Sequence, residues 1–209
     1  AFGALMIGNA TTTIIGYALF WLPSMYARTW GMDPATAGVW FGAVLATTGP
    51  AGVVFGSQWS SRTYARGASD APYRVFLRVL AFAVPCAIAM PLMPTARLSI
   101  VMLAPAMFGL AAGSATATAA VIHVAPAQFR SKISAMHLLV ISLAGLFLGP
   151  TSVALLTDNV FADPKALRWS MSIVATLTGT VGVAALTLSR QAYRGLAQEA
   201  DSWHDHPPR

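Results

Sequence analysis

The sequence predicts an all-α membrane protein of six transmembrane helices, arranged as two inverted three-helix repeats. Three observations predict it. The 209 residues are 56% hydrophobic and 10% charged, where a soluble domain carries about 25% charged residues. With His counted as neutral, charge-free windows run 1–27, 34–61, 79–96, 98–129, 133–157 and 169–189, each 18 residues or longer. A helix needs roughly 17–25 apolar residues to cross a bilayer, so all six qualify. The third observation is an echo: TTGPAGVVFG at 47–56 and FLGPTSVALL at 147–156 place Gly-Pro in the middle helix of each set of three. Helices one to three cross in the opposite sense to helices four to six, the plan of an inverted repeat. Barrel strands would alternate polar and apolar residues, and these windows are apolar on all sides. The mean hydropathy of +0.62 agrees.

The first helix is expected over about Phe2 to Tyr26, with Trp21, Tyr26 and Trp30 near the outer interface, where aromatic rings are favoured. Asp33 before Pro34 reads as an N-cap followed by proline at the first helical position, opening a second helix to about Ser60. Trp59 and Tyr64 mark its cytoplasmic exit. The longest cytoplasmic loop, 60–73, leads to a third helix over about Arg74 to Met93, and a tight turn leads to a fourth over about Ser99 to Val124. APAQFRSK returns the chain to a fifth helix over about Ile133 to Leu156; the sixth runs about Leu167 to Leu188. This divides the chain into a transmembrane half-domain, 1–189, and a polar cytoplasmic tail, 190–209. Residues 190–201 are expected as a short helix on the membrane surface and HDHPPR as a disordered end.

The formal charge of +6 does not imply nucleic acid, because of where it sits. Nine cations (Arg62, Arg66, Arg74, Arg78, Arg130, Lys132, Arg190, Arg194, Arg209) fall on one side of the six-span arrangement and four (Arg28, Arg97, Lys165, Arg168) on the other. The positive-inside rule makes the richer side cytoplasmic, with both chain ends there. Arg62, Arg66, Arg74 and Arg78 are placed to meet lipid head groups. Cys86 is the single cysteine, inside a span, so no intrachain disulfide exists; it reads as a small packed residue. The start AFGALMIGN shows no basic signal-peptide region and no initiator Met, and the chain is expected to be a piece of a longer protein.

Gly52-xxx-Gly56, Gly109-xxx-Gly113 and Gly145-xxx-Gly149 each put two glycines on one helix face, the pattern of closely packed membrane helices. Asn9, Thr12, Thr13, Gly16 and Tyr17 fall within one stripe of the first helix at 100° per residue. Such a stripe faces protein or water, as interhelical hydrogen bonding or as the wall of a solute cavity. Ser114, Thr116 and Thr118 add hydroxyls from the fourth helix, and Thr47 and Thr48 lie beside Gly49-Pro50; a threonine also bonds its own helix backbone. His137 and His123 lie near helix ends, as ordinary hydrogen-bonding groups or proton carriers. His204 and His206 lack further metal ligands. No Asp or Glu falls in any of the six windows, no catalytic motif is present, and no enzyme activity, metal or cofactor is expected.

VAPAQFRSKISAM, the Pro126-x-x-x-Arg130 spacing, GYALFWLPSMYARTWGMDPATAG (16–38) and GLFLGPTSVALLTD (145–158) complete a pattern. Over residues 1–189 the chain resembles the C-terminal half of a major facilitator superfamily transporter, most of all the Spinster-like branch. The resemblance implies a twelve-helix transporter whose two halves rock around a solute, the first, second, fourth and fifth helices facing the cavity and the third and sixth facing lipid. It implies lipid-like cargo. It also implies an Asp before Arg62 in the loop after the second helix; Ser61 stands there, which leaves the gate without its usual carboxylate.

The function expected is therefore secondary active transport of a small organic or lipid-like solute by alternating access, coupled to a proton or ion gradient. The expected site is Asn9, Thr12, Thr13, Tyr17, Ser114, Thr118 and His137 around the solute. Gly49, Pro50, Gly149 and Pro150 are expected as helix kinks, with Arg62 and Arg130 at the cytoplasmic gate. The partners are the solute, membrane lipids and a missing N-terminal six-helix half in the same polypeptide or a second subunit. The location expected is a bacterial inner membrane. The alternative is a six-helix scaffold that transports nothing.

Overall fold

The computed structural model describes residues 2–125 and 127–205, with side chains through Glu199 except that of Ala127. Pro126, His206 and Arg209 lie outside the described residues, as does the side chain of His204. Six helices long and apolar enough to span a membrane make up the molecule: α1 (Phe2–Trp30), α2 (Pro34–Ala65), α3 (Ala71–Leu92), α4 (Ala96–His123), α5 (Arg130–Phe161) and α6 (Pro164–Glu199).

Helix ends follow local chemistry. In α1, one 3₁₀ turn at Leu19–Trp21 precedes Pro23, whose ring and missing N–H disfavour regular helix there. The helix stops at Gly31, in the left-handed region at φ 64°, where no β-carbon opposes the turn. Asp33 caps α2 as its sequence predicts: its Oδ2 accepts from the Thr36 N–H at 3.0 Å, with Pro34 in the first turn. Thr95 caps α4 by accepting from the Leu98 N–H at 3.3 Å.

Packing shows the inverted repeat. α1 packs on α5 and α6, and α4 packs on α2 and α3. Exchanging α1 with α4, α2 with α5 and α3 with α6 maps one set onto the other. The first helices of the two triplets, α1 and α4, also touch and form the centre. Of the apolar window of each span, 56% is buried in α1 and 6% in α2, so α2 is an edge helix. α5, at 22%, is the opposite edge. The main core cluster includes Leu5, Phe76, Leu80, Leu103, Val174 and Leu186, and a smaller one holds Val75, Val79 and Ala112. α3 is half buried, with Val75, Phe76, Leu80 and Ala83 turned inward; the expectation that α3 chiefly faces lipid describes only its other side, where Phe82 is exposed.

The glycine pairs are contact points. A β-carbon on Gly52 would meet the Phe108 carbonyl of α4, and one on Gly56 would sit 2.8 Å from the Ala112 carbonyl. On α5, a β-carbon at Gly149 would lie 2.8 Å from the Ile14 carbonyl of α1. Close backbone approach holds both edge helices to the centre.

Two expectations change. The paired Gly-Pro sites differ in helix type. α2 remains α-helical through Gly49-Pro50, whereas α5 turns π-helical over Ala144–Leu148, immediately before Gly149-Pro150. The π turn widens the helix where proline removes a backbone bond, at the place where α1 presses on Gly145 and Gly149. Ser152 donates to the carbonyls of Leu148 and Gly149, not to that of Leu146, which proline leaves without its usual partner. The second change concerns the polar tail. One helix runs Leu167–Asp205 through position 190 without a break. Tyr193 and Ala197 are fully buried, Tyr193 stacks on Tyr73 at 4.5 Å and donates to the Ala120 carbonyl at 3.0 Å. The boundary at 189 is therefore not a structural one.

Candidate functional site

Where α1, α2 and α4 converge in mid-membrane, a cavity of about 290 Å³ opens. α1 contributes Thr12, Thr13, Gly16, Tyr17 and Phe20; α4 contributes Met107, Leu110, Ala111 and Ser114; α2 contributes Phe41, Leu45 and Gly49. The stripe on α1 and the serine of α4 thus meet: Thr12, Thr13, Tyr17 and Ser114 line one cavity. The apolar half of the wall, Phe20, Phe41, Leu45, Met107 and Leu110, is absent from the sequence reading, because single apolar residues in a membrane span carry no signal of which way they face.

The hydroxyls are not equivalent. Thr12 donates to the Gly8 carbonyl at 3.1 Å and Thr13 to the Asn9 carbonyl at 2.8 Å, so both bond their own helix. Among the described residues, the hydroxyls of Tyr17 and Ser114 have no hydrogen-bond partner. They are the groups available to a solute. The Tyr17 ring is braced edge-on by Phe20 at 5.4 Å. No charged residue lines the cavity. It suits a neutral or amphiphilic surface with one or two hydrogen-bonding groups.

Asn9 and His137 are brought together, but away from this cavity. Both are buried, Asn9 at 0% and His137 at 1% exposure. Asn9 Nδ2 lies 2.8 Å from His137 Nε2, and His137 Nδ1 lies 2.8 Å from the sulfur of Met6. Asn9 Oδ1 is buried without a partner among the described residues. Thr118 donates to the Ser114 carbonyl at 3.0 Å and does not line the cavity.

The gate residues separate as well. Arg62 lies in a shallow groove with Phe55, Gln58 and Trp59. Arg130 lines a depression of about 590 Å³ at the arginine-rich end with Ser60, Ser61, Tyr64 and His123. That depression is the larger of the two and lies at the helix ends, whereas the smaller cavity lies at mid-span. Arg62 does not line the depression that holds Arg130. Gly49 lines the mid-span cavity, Gly149 seals α5 on α1, and Pro50 is exposed. The Pro150 carbonyl accepts from Trp21 Nε1 at 3.1 Å. An ion pair missed in the sequence, between the buried Asp70 and the partly exposed Arg74 at 2.6 Å, closes the start of α3.

No protein-family model matches the chain, and no curated protein sequence is similar to it. The fold is similar to crystal structures of a bacterial homologue of the human lysosomal transporter Spinster. With the inward-facing, occupied structure the TM-score is 0.66 at 20% identity, covering 95% of this chain and 49% of that one. With the inward-facing, unoccupied structure it is 0.64 at 18% identity, covering 94% and 47%. The chain has the fold of a transporter half and spans about half the length of the transporter it matches.

Proposed function

We propose that this chain is one six-helix half of a secondary transporter that moves a small organic or lipid-like solute by alternating access. The cavity carries the proposal: an uncharged chamber in mid-membrane with two available hydroxyls, Tyr17 and Ser114, on the central helices α1 and α4. Its apolar walls favour a solute with an apolar portion, in keeping with a Spinster-like cargo. The exposed edge helices α2 and α5 leave room for a second six-helix half. Coupling to a proton or ion gradient, and residence in a bacterial inner membrane with both termini cytoplasmic, belong to the same proposal.

The test is solute uptake by the intact protein in vesicles, with Tyr17→Phe and Ser114→Ala at equal surface amounts. Each removes one hydroxyl without disturbing a bond inside the protein. A lost hydrogen bond to an uncharged solute costs about 0.5–1.5 kcal/mol, so uptake at low solute concentration should fall roughly two- to tenfold. Unchanged uptake in the double variant would remove the cavity from the transport path.

A further inference from the structure

At the end of the bundle opposite the arginine-rich loops, the last turn of α1 meets the start of α6. Between them lies a depression of about 330 Å³ lined by Arg28, Thr29, Asp163, Lys165, Arg168 and Trp169, with Ala166 at its base. Three of the four cations at this end of the molecule converge there; the fourth, Arg97, does not line it.

Their placement runs against two general tendencies. This end of the bundle is the one poor in Lys and Arg. Lys165 and Arg168 also sit in the opening turns of α6, where the helix dipole favours anions and disfavours cations. Arg28 alone is well placed for the dipole, at the C-terminal turn of α1. One carboxylate stands against three cations in the cluster. Asp163 is its one carboxylate, and the Asp163 Oδ1 accepts from the Lys165 backbone N–H at 2.9 Å. Among the described residues, none of the three cations forms an ion pair with it or any other carboxylate.

Other groups complete a receptor for an oxyanion. Thr29, whose Oγ1 is buried without a partner among the described residues, also lines the depression. The Arg168 guanidinium lies 5.1 Å from the Trp169 ring, which restrains its orientation. Two guanidinium groups and one ammonium match the several acceptor oxygens of a phosphate. Trp169 and Trp30 flank these helix ends, as aromatic rings do at the head-group level of a bilayer.

We propose that this depression binds the phosphate of an anionic lipid head group in the leaflet that this end of the bundle meets. The lipid would tie the end of α1, a wall of the central cavity, to α6. The proposal does not depend on the chain being a transporter.

The test is the thermal unfolding of the intact, purified chain in detergent, titrated with phosphatidylglycerol, with phosphatidylcholine of the same acyl chains, and with inorganic phosphate. Phosphatidylglycerol should raise the unfolding midpoint with concentration, and phosphatidylcholine should not. Each basic residue near a membrane surface contributes about fivefold in affinity, so Arg28→Gln, Lys165→Gln and Arg168→Gln together should weaken the response on the order of a hundredfold. Arg97→Gln should leave it unchanged. If the triple variant does not fold, Lys165→Gln and Arg168→Gln alone should each weaken the response about fivefold. An equal response in the variants, or to phosphatidylcholine, overturns the site. Inorganic phosphate matching phosphatidylglycerol overturns the lipid as its source.

Discussion

The Asn9–His137 contact shows how one pair can read as a solute site and act as internal packing. Both residues are polar, within the membrane and near a proposed cavity, yet each is spent on the other, α1 to α5. Hydrogen bonds between membrane helices average only about 0.6 kcal/mol, but removing one partner leaves a buried polar atom without compensation, at about 1–3 kcal/mol. Asn9→Ala and His137→Ala should therefore each lower the unfolding free energy of the purified protein by about 1–2 kcal/mol. The double variant should cost less than the sum, since neither orphan remains. Additive losses would show that the two groups do not act as a pair. The contrast with Tyr17 is sharp. Loss of its free hydroxyl should lower uptake and leave stability unchanged, so measuring both quantities separates the packing residues from those facing the solute.

Among elements, the edge helices show what glycine does here. On α2, Gly42 has open space where a β-carbon would sit, while a β-carbon at Gly52 would strike the Phe108 carbonyl. The same substitution should have opposite signs at the two places. Gly42→Ala should be neutral or stabilise by up to about 1 kcal/mol through helix propensity. Gly52→Ala and Gly149→Ala should destabilise by about 1–3 kcal/mol, because backbone, not a flexible side-chain tip, must move. Thermal unfolding of the three variants checks this, and a destabilised Gly42→Ala would mean that spacing alone, not contact, governs. The six spans and the glycine faces were legible because charge-free length and i, i+4 spacing are properties of the chain itself. The π turn before Gly149 was not legible. Gly49-Pro50 has the same dipeptide in the matching helix and stays α-helical, so the difference comes from what packs on the helix: α1 bears on Gly145 and Gly149, while Gly49 has only Leu45 of its own helix near it. The buried extension of α6 was legible in part. Leu186, Tyr193 and Ala197 continue one stripe at helical spacing, but arginine and glutamine around them give the segment a polar average.

At the scale of the molecule, the proposed orientation rests on the charge count, nine cations against four. The structure groups the ends as the count requires. Ser60, Pro72, His123 and Arg130 share one depression, and Arg28 shares another with Lys165 and Arg168. The three clustered cations at the poorer end weaken the bias without reversing it, since insertion responds to the sum near the spans and not to local clustering. In a Cys86→Ser background, Asn159→Cys at the exposed end of α5 should react with a membrane-impermeant maleimide in intact cells. Ala65→Cys, at the exposed end of α2, should react only after the membrane is opened. Both sites reacting from one side would contradict the alternating six-span order. The reverse pattern would keep that order and turn the molecule over. In that case the Arg28–Lys165–Arg168 depression would face the cytoplasmic leaflet, where anionic lipid is concentrated, and its proposed ligand would gain local concentration while the orientation rule failed.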